Sequence, residues 1–151
     1  MSRPQLPFPS CVLIDLDNTV YSYPPAHAAG LKGASKLAAS FLNTNEGEFD
    51  DAYNDARAEI KRRLGSTASS HNRLLYFQRL LERLGLGSQI GYALELEQAY
   101  WSHFLSAASL RPQVVEFLDD LRLNGVPAVA VTDLTAAIQF RKMLFWQLDR
   151  Y

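Results

Sequence analysis

Two mainly apolar runs, each leading into acidic or polar residues, frame this sequence: Cys11 to Leu16, and Val126 to Thr132. Neither alternates polar with apolar, so both read as parallel strands buried on both faces. Parallel strands cannot be joined by a tight turn and need a crossover. Here the crossover is long. Asn18 to Pro25 reads as a loop, with Pro24-Pro25 expected to hold off the first helix. Four helical segments follow, over Ala26 to Phe41, Glu48 to Leu64, Asn72 to Leu84 and Ile90 to Ala108, separated most clearly at Gly65 to Ser70 and Gly85 to Gly91. In the second segment Asp50, Asp55, Glu59 and Lys61 are expected on the outer face. A fifth helix, Pro112 to Leu123, begins on proline and stops at Asn124-Gly125, where a left-handed cap fits. After the second strand, Thr135 or Asp133 caps a last helix running to about Leu148. The order is a βαβ unit inflated by a helical bundle, which is α/β architecture.

With 15 Lys and Arg against 16 Asp and Glu, the chain is almost neutral. Such a balance sets up no field to gather nucleic acid and no single-signed face for a membrane. Met1 to Ser10 carries three prolines and no apolar block, unlike a signal or transit peptide, and no stretch is long and apolar enough to span a bilayer. Cys11 is the one cysteine, and its apolar setting predicts a buried, inert thiol. A cytoplasmic protein is expected.

The chemistry gathers at the end of the first strand. Asp15 and Asp17 lie two apart, so an extended backbone points both carboxylates the same way, at the strand end where open α/β sheets place their ligands. Two carboxylates so close repel, which raises one pKa unless a cation intervenes. A divalent ion would satisfy bare carboxylate oxygens, and a carboxyl of raised pKa would serve as a proton donor. Alternatively the pair only terminates a strand.

Val12-Leu13-Ile14-Asp15-Leu16-Asp17-Asn18-Thr19-Val20 resembles the first motif of haloacid-dehalogenase-like hydrolases, and Val129-Ala130-Val131-Thr132-Asp133 is similar to their second. The helical insert between them matches the branch with a cap at that place. The resemblance implies a partial Rossmann-like parallel sheet with an inserted helical-bundle cap, the core formed by residues 1–22 and 110–151 and the cap by 23–109. It also implies a Mg2+-dependent phosphatase acting on a small phosphorylated metabolite, a nucleotide or sugar phosphate. Asp15 would be the nucleophile that forms an aspartyl-phosphate. Asp17 would protonate the leaving alcohol and then activate water. Thr19 would orient Asp17. Mg2+ would sit on the Asp15 carboxylate and the Asp17 main-chain carbonyl. Asn18, Thr132, Asp133 and nearby backbone N–H groups would hold phosphoryl oxygens. True dehalogenases lack an acid at the place of Asp17, since a halide leaves without a proton, so Asp17 argues for phosphate esters.

The family also carries a lysine and an acidic pair on later elements, and these have no counterpart here. Lys142, on the last helix, could be nominated for that lysine, but family members carry theirs after another strand, so it reads as a surface lysine. Two parallel strands with one naked side do not make a stable sheet. The chain is therefore expected to be truncated, or completed by a second copy or another chain, and the apolar last helix is expected to be buried in something. A non-catalytic binding or assembly module is the rival expectation. In the cap, His71 and Arg73 are candidates to meet an anionic substrate, against a plainer reading as helix-entry surface residues. His103 reads as a packed core histidine, and Tyr21 and Tyr23 as cover for the core.

Overall fold

The computed structural model describes residues 9–42 and 44–151, so most of the N-terminal stretch read as lacking a leader lies outside the described residues. Two strands, β1 (Val12–Asp15) and β2 (Ala128–Val131), pair in parallel with Val12 opposite Ala128 and Asp15 opposite Val131. Between them run α1 (Tyr23–Ala38), α2 (Glu46–Leu64), α3 (Arg73–Arg83), α4 (Ile90–Ala107) and α5 (Val114–Leu123); α6 (Ala136–Phe145) follows β2. The architecture is consistent with α/β, mostly helical around a small parallel sheet. Among the described residues no helix is long and apolar enough to cross a membrane.

Local chemistry explains the helix ends. Asn45 and Glu48 form a reciprocal capping box that starts α2. Leu121 and Arg122 carbonyls accept from Val126 and Gly125 at the end of α5, with Gly125 at a φ of +66°. That is the left-handed stop anticipated at Asn124-Gly125. The Pro24-Pro25 pair does not delay α1: both prolines fall in its first turn, where backbone N–H groups have no helical acceptor in any case.

Helices α1 to α4 pack on one another, α1 most closely against α4. The closeness depends on Gly30, where an added Cβ would stand 2.8 Å from the Tyr100 ring and 3.0 Å from its carbonyl oxygen. The interior is aromatic. Phe49, Tyr53, Tyr76, Phe77, Tyr100 and Phe104 are fully buried, and the same apolar cluster continues into the strand region through Leu16, Tyr21 and Ile138. No apolar break divides the helical layer from the sheet. A second cluster, built on Leu118, Leu121, Val126 and Leu148, packs Val12, Ile14 and Ala128 against α5.

Several expectations need correction. Neither strand is buried on both faces. Leu13 is 70% exposed, Val129 and Val131 are about half exposed, and Cys11 is exposed rather than buried, because helices cover only the Val12, Ile14 and Ala128 face. On α6 the outer residues Phe140, Leu144 and Phe145 are exposed, while Ile138 and Met143 pack inward. His103 is exposed, one ring nitrogen 2.9 Å from the Ala99 carbonyl. Glu59 is buried on the α3-facing side of α2, where it accepts from Arg79 at 2.8 Å and pairs with Arg63 at 2.5 Å.

Candidate active site

Immediately after β1 the chain turns through residues 17–20, with Asn18 at a φ of +62°. Asparagine tolerates this conformation because its short amide bonds locally. Here the Asn18 side-chain oxygen accepts from the Tyr23 N–H at 3.3 Å, and its carbonyl accepts from Arg111 at 3.2 Å. The turn buries Leu16 and leaves Asp15 and Asp17 facing one cavity. That cavity, of about 430 Å³, is lined by Asp15, Asp17, Asn18, Thr132 and Asp133 on the strand side. Arg57 and Lys61 of α2, together with His71 and Arg73, line the facing helical wall. A separate apolar cavity under the sheet, of about 230 Å³, holds neither carboxylate and offers no chemistry.

The two carboxylates have different surroundings. Asp15 is exposed and accepts one hydrogen bond, from the Thr19 hydroxyl at 2.6 Å. Thr19 thus orients Asp15 rather than Asp17, because the tight turn folds its hydroxyl back over the strand end. Asp17 is partly buried and accepts from three donors: the Tyr21 hydroxyl, Gln139 Nε2 at 2.6 Å, and Lys142 Nζ at 2.5 Å. Burial pushes the Asp17 carboxyl up, but the hydrogen bond and charge of Lys142, with Tyr21 and Gln139 assisting, hold it below its usual range. The repulsion anticipated between the carboxylates is therefore met by a protein cation. In turn, burial pulls the Lys142 ammonium down, against the opposing pull of Asp17.

Lys142 is 1% exposed, so the surface reading was wrong. Helix α6 turns Gln139 and Lys142, three apart, onto the same inward face, and the ammonium passes over the buried Tyr21 and Phe104 rings to reach Asp17. Gln139 also ties the two strand ends together. Its Nε2 bridges Asp17 and the Thr132 hydroxyl oxygen, 2.6 Å from each. That oxygen accepts from the Leu134 N–H as well, which leaves the hydroxyl hydrogen free to donate into the cavity.

The helical wall corrects a second expectation. Arg73 is buried, not a surface residue at a helix entry. Its guanidinium donates to the Tyr23 hydroxyl at 2.7 Å and to the His71 carbonyl at 2.5 Å, and lies over the Tyr76, Tyr100 and Trp101 rings. None of these partners carries negative charge. His71 is half-buried, and burial, with the charges of Lys61, Arg73 and Arg57, pulls its pKa down. His27 stacks on Tyr23 and bonds the Tyr100 hydroxyl at 2.8 Å; burial and the Arg73 and Arg57 charges pull it down to about 4, so it is neutral at pH 7.

Among the described residues no group of three or more His, Cys, Asp or Glu gathers to hold a metal. The Asp17 carboxylate is occupied by its three donors, whereas the Asp15 carboxylate has one partner and room for another. Such a donor set fits Mg2+, which binds through one or two protein oxygens and keeps water or substrate phosphate for the rest.

Sequence reasoning named Asp15, Asp17, Thr19, Thr132, Asn18, Asp133, His71 and Arg73; the structure places seven of them on one cavity, while Thr19 lines the apolar cavity and reaches only Asp15. Sequence reasoning missed Gln139, Arg57, the cavity-facing side of Lys61 and the role of the Tyr21 hydroxyl. A polar pair three apart on the apolar face of α6, and a basic pair four apart on α2, were the available signals.

No family model matches the chain. The chain is similar to a protein of Halopiger xanaduensis described as a ribulose-1,5-bisphosphate 5-phosphatase, with 43% identity over 138 residues that cover 89% of this chain and 56% of that protein. It thus spans little more than half the length of the relative.

Proposed function

We propose that this chain carries the nucleophile and acid/base side of a haloacid-dehalogenase-like, Mg2+-dependent phosphatase that acts on a small sugar phosphate. One observation carries the reading. Asp15, exposed and held by Thr19, shares a cavity with Arg73, a buried cation with no anionic partner among the described residues. An uncompensated buried charge is costly, and an incoming anionic substrate would relieve it while setting an ester phosphate beside a free carboxylate. The 43% identity to a protein described as a sugar bisphosphate phosphatase supports the same reading.

In this mechanism an Asp15 carboxylate oxygen attacks phosphorus, and the bond from phosphorus to the ester oxygen breaks. The Thr132 hydroxyl donates to a phosphoryl oxygen where charge builds. The Asp15 carboxylate and the Asp17 main-chain carbonyl would hold Mg2+, which would supply neutralisation of the negative charge gathered at the site. The arriving phosphate raises the proton affinity of nearby Asp17, and Lys142 is the hydrogen-bonded proton source. Asp17 passes that proton to the leaving oxygen, takes one from the water that displaces phosphate from Asp15, and returns it to Lys142, which restores the ion pair.

An assembly reading has one observation of its own. Leu13, Val129 and Val131 form an exposed apolar sheet face, which a second chain would cover. Phosphate release separates the two. The chain with Mg2+ is expected to release phosphate from ribulose 1,5-bisphosphate and from p-nitrophenyl phosphate, and release from neither would leave the assembly reading.

A further inference from the structure

We propose that the helical wall of the cavity is a second-anion subsite, in which Arg57 and Lys61 of α2, backed by Arg73, bind a second phosphate of the molecule whose first phosphate meets Asp15. The substrate class is then a bisphosphorylated small sugar or polyol rather than a monophosphate. This inference rests on the reading of Asp15 as nucleophile, and adds residues that the nucleophile does not require.

The basic residues of α2 and α3 divide into two sets. Of those facing away from the cavity, Arg63 and Arg79 pair with Glu59 and Arg83 with Asp55, and the exposed Arg62 is left to solvent. Those on the cavity, including the buried Arg73, have no such partner. Among the described residues Arg57, Lys61 and Arg73 make no ion pair, although α2 carries six carboxylates. Arg57 and Lys61 are four apart, so α2 presents both on one face. Arg73 is 6% exposed, and its partners are hydroxyls, a carbonyl and ring faces. Burial and the neighbouring Arg57 and Arg73 charges also pull Lys61 down, as expected where cations crowd without a counter-ion.

Across the same cavity stand Asp15, Asp17 and Asp133. The cavity is therefore bipolar. Its strand side is acidic, with the nucleophile, and would repel an anion approaching alone. The helical side is basic and built for anions, since guanidinium and ammonium groups bind phosphate through charge-assisted hydrogen bonds. A molecule with a phosphate at each end satisfies both: the basic wall anchors one and positions the other against Asp15.

The test uses Asp15→Asn protein, in which binding is read without turnover, and isothermal titration calorimetry with Mg2+ present. Ribulose 1,5-bisphosphate and ribulose 5-phosphate share a carbon chain and differ by one phosphate. The bisphosphate is expected to bind roughly tenfold tighter or more. Adding Arg57→Ala and Lys61→Ala is expected to remove most of that advantage, with the fold monitored by circular dichroism melting, since both side chains are at least partly exposed. Equal affinity for the two ligands, or an advantage that survives the double substitution in folded protein, would overturn the subsite. The phosphatase reading fails separately, when protein with Asp15 intact releases no phosphate from any ester.

Discussion

Asp15→Asn is expected to reduce phosphate release by roughly 10⁴-fold or more, the scale on which removal of a covalent nucleophile acts, while leaving the fold intact. Both halves follow from the same geometry. Asp15 is exposed at the end of β1, and its one hydrogen bond is accepted from Thr19. An asparagine oxygen accepts that bond equally well, so the change in stability should stay within about 0.5 kcal/mol. Steady-state assay beside a thermal melt checks the pair of claims. A variant that keeps turnover would sink the nucleophile assignment, and one that unfolds would sink the description of Asp15 as a site without structural duty.

Lys142→Met is expected to have the largest effect on stability. The substitution keeps a long apolar stem on α6 and removes the ammonium. Asp17 would then keep its burial without its cation. Breaking a buried pair costs about 3–5 kcal/mol; with the Asp17 side chain 23% exposed, roughly 2–4 kcal/mol is expected, or about 5–15 °C in melting temperature for a chain of this length. The pH dependence has a definite sign. In the unaltered protein the folded pKa of Asp17 lies below its ordinary 3.8, so the pair contributes stability above that pH and loses it as the pH falls through the folded value. In the variant, burial is opposed only by the Tyr21 and Gln139 hydrogen bonds, and the carboxyl moves up. Its penalty is full at neutral pH and fades on acidification, as Asp17 becomes protonated. The gap between the two proteins should therefore be widest near pH 7 and narrow toward pH 4 in melting experiments. Asp17→Asn, combined with Lys142→Met, should recover part of the loss. A gap that is flat or widens with acid would contradict the ion pair.

Strand and helix order were legible because each depends on local pattern. The apolar runs at Val12 and Ala128 and the stop at Gly125 act within a few residues, while the Asn45 capping box, which starts α2 two residues before the expected Glu48, was not read. The candidate site was half legible for the same reason. Asp15, Asp17 and Thr132 sit at strand ends, whose position follows from the runs that lead into them. Lys142 was misread, and the burial of Arg73 went unforeseen, because a lone cation on a helix gives no sign in sequence of which way it faces, and exposure is the ordinary outcome. What turns Lys142 inward is the packing of Ile138 and Met143 against the core, a tertiary matter. What buries Arg73 is a nest of tyrosines drawn from α1, α3 and α4. Strand burial was overread at Leu13 and Val129, since an apolar run shows that a face suits burial without showing that anything in the chain covers it.

The Asp17, Gln139, Thr132 and Lys142 network gives the site its internal logic. It joins the ends of both strands to α6, so the groups proposed to meet the phosphate and to move the proton share one hydrogen-bonded frame. The Asp15 carboxylate stays outside that frame, hydrogen-bonded by Thr19, which suits its proposed role as nucleophile.

A direct chemical trap reads the central claim. Borohydride reduces an aspartyl-phosphate to homoserine and leaves free aspartate untouched. Protein turning over ribulose 1,5-bisphosphate with Mg2+, quenched with borohydride and mapped by peptide mass spectrometry, should carry homoserine at position 15, only when substrate is present. Phosphate release without homoserine at position 15, or with homoserine at position 17 or 133 instead, would contradict it.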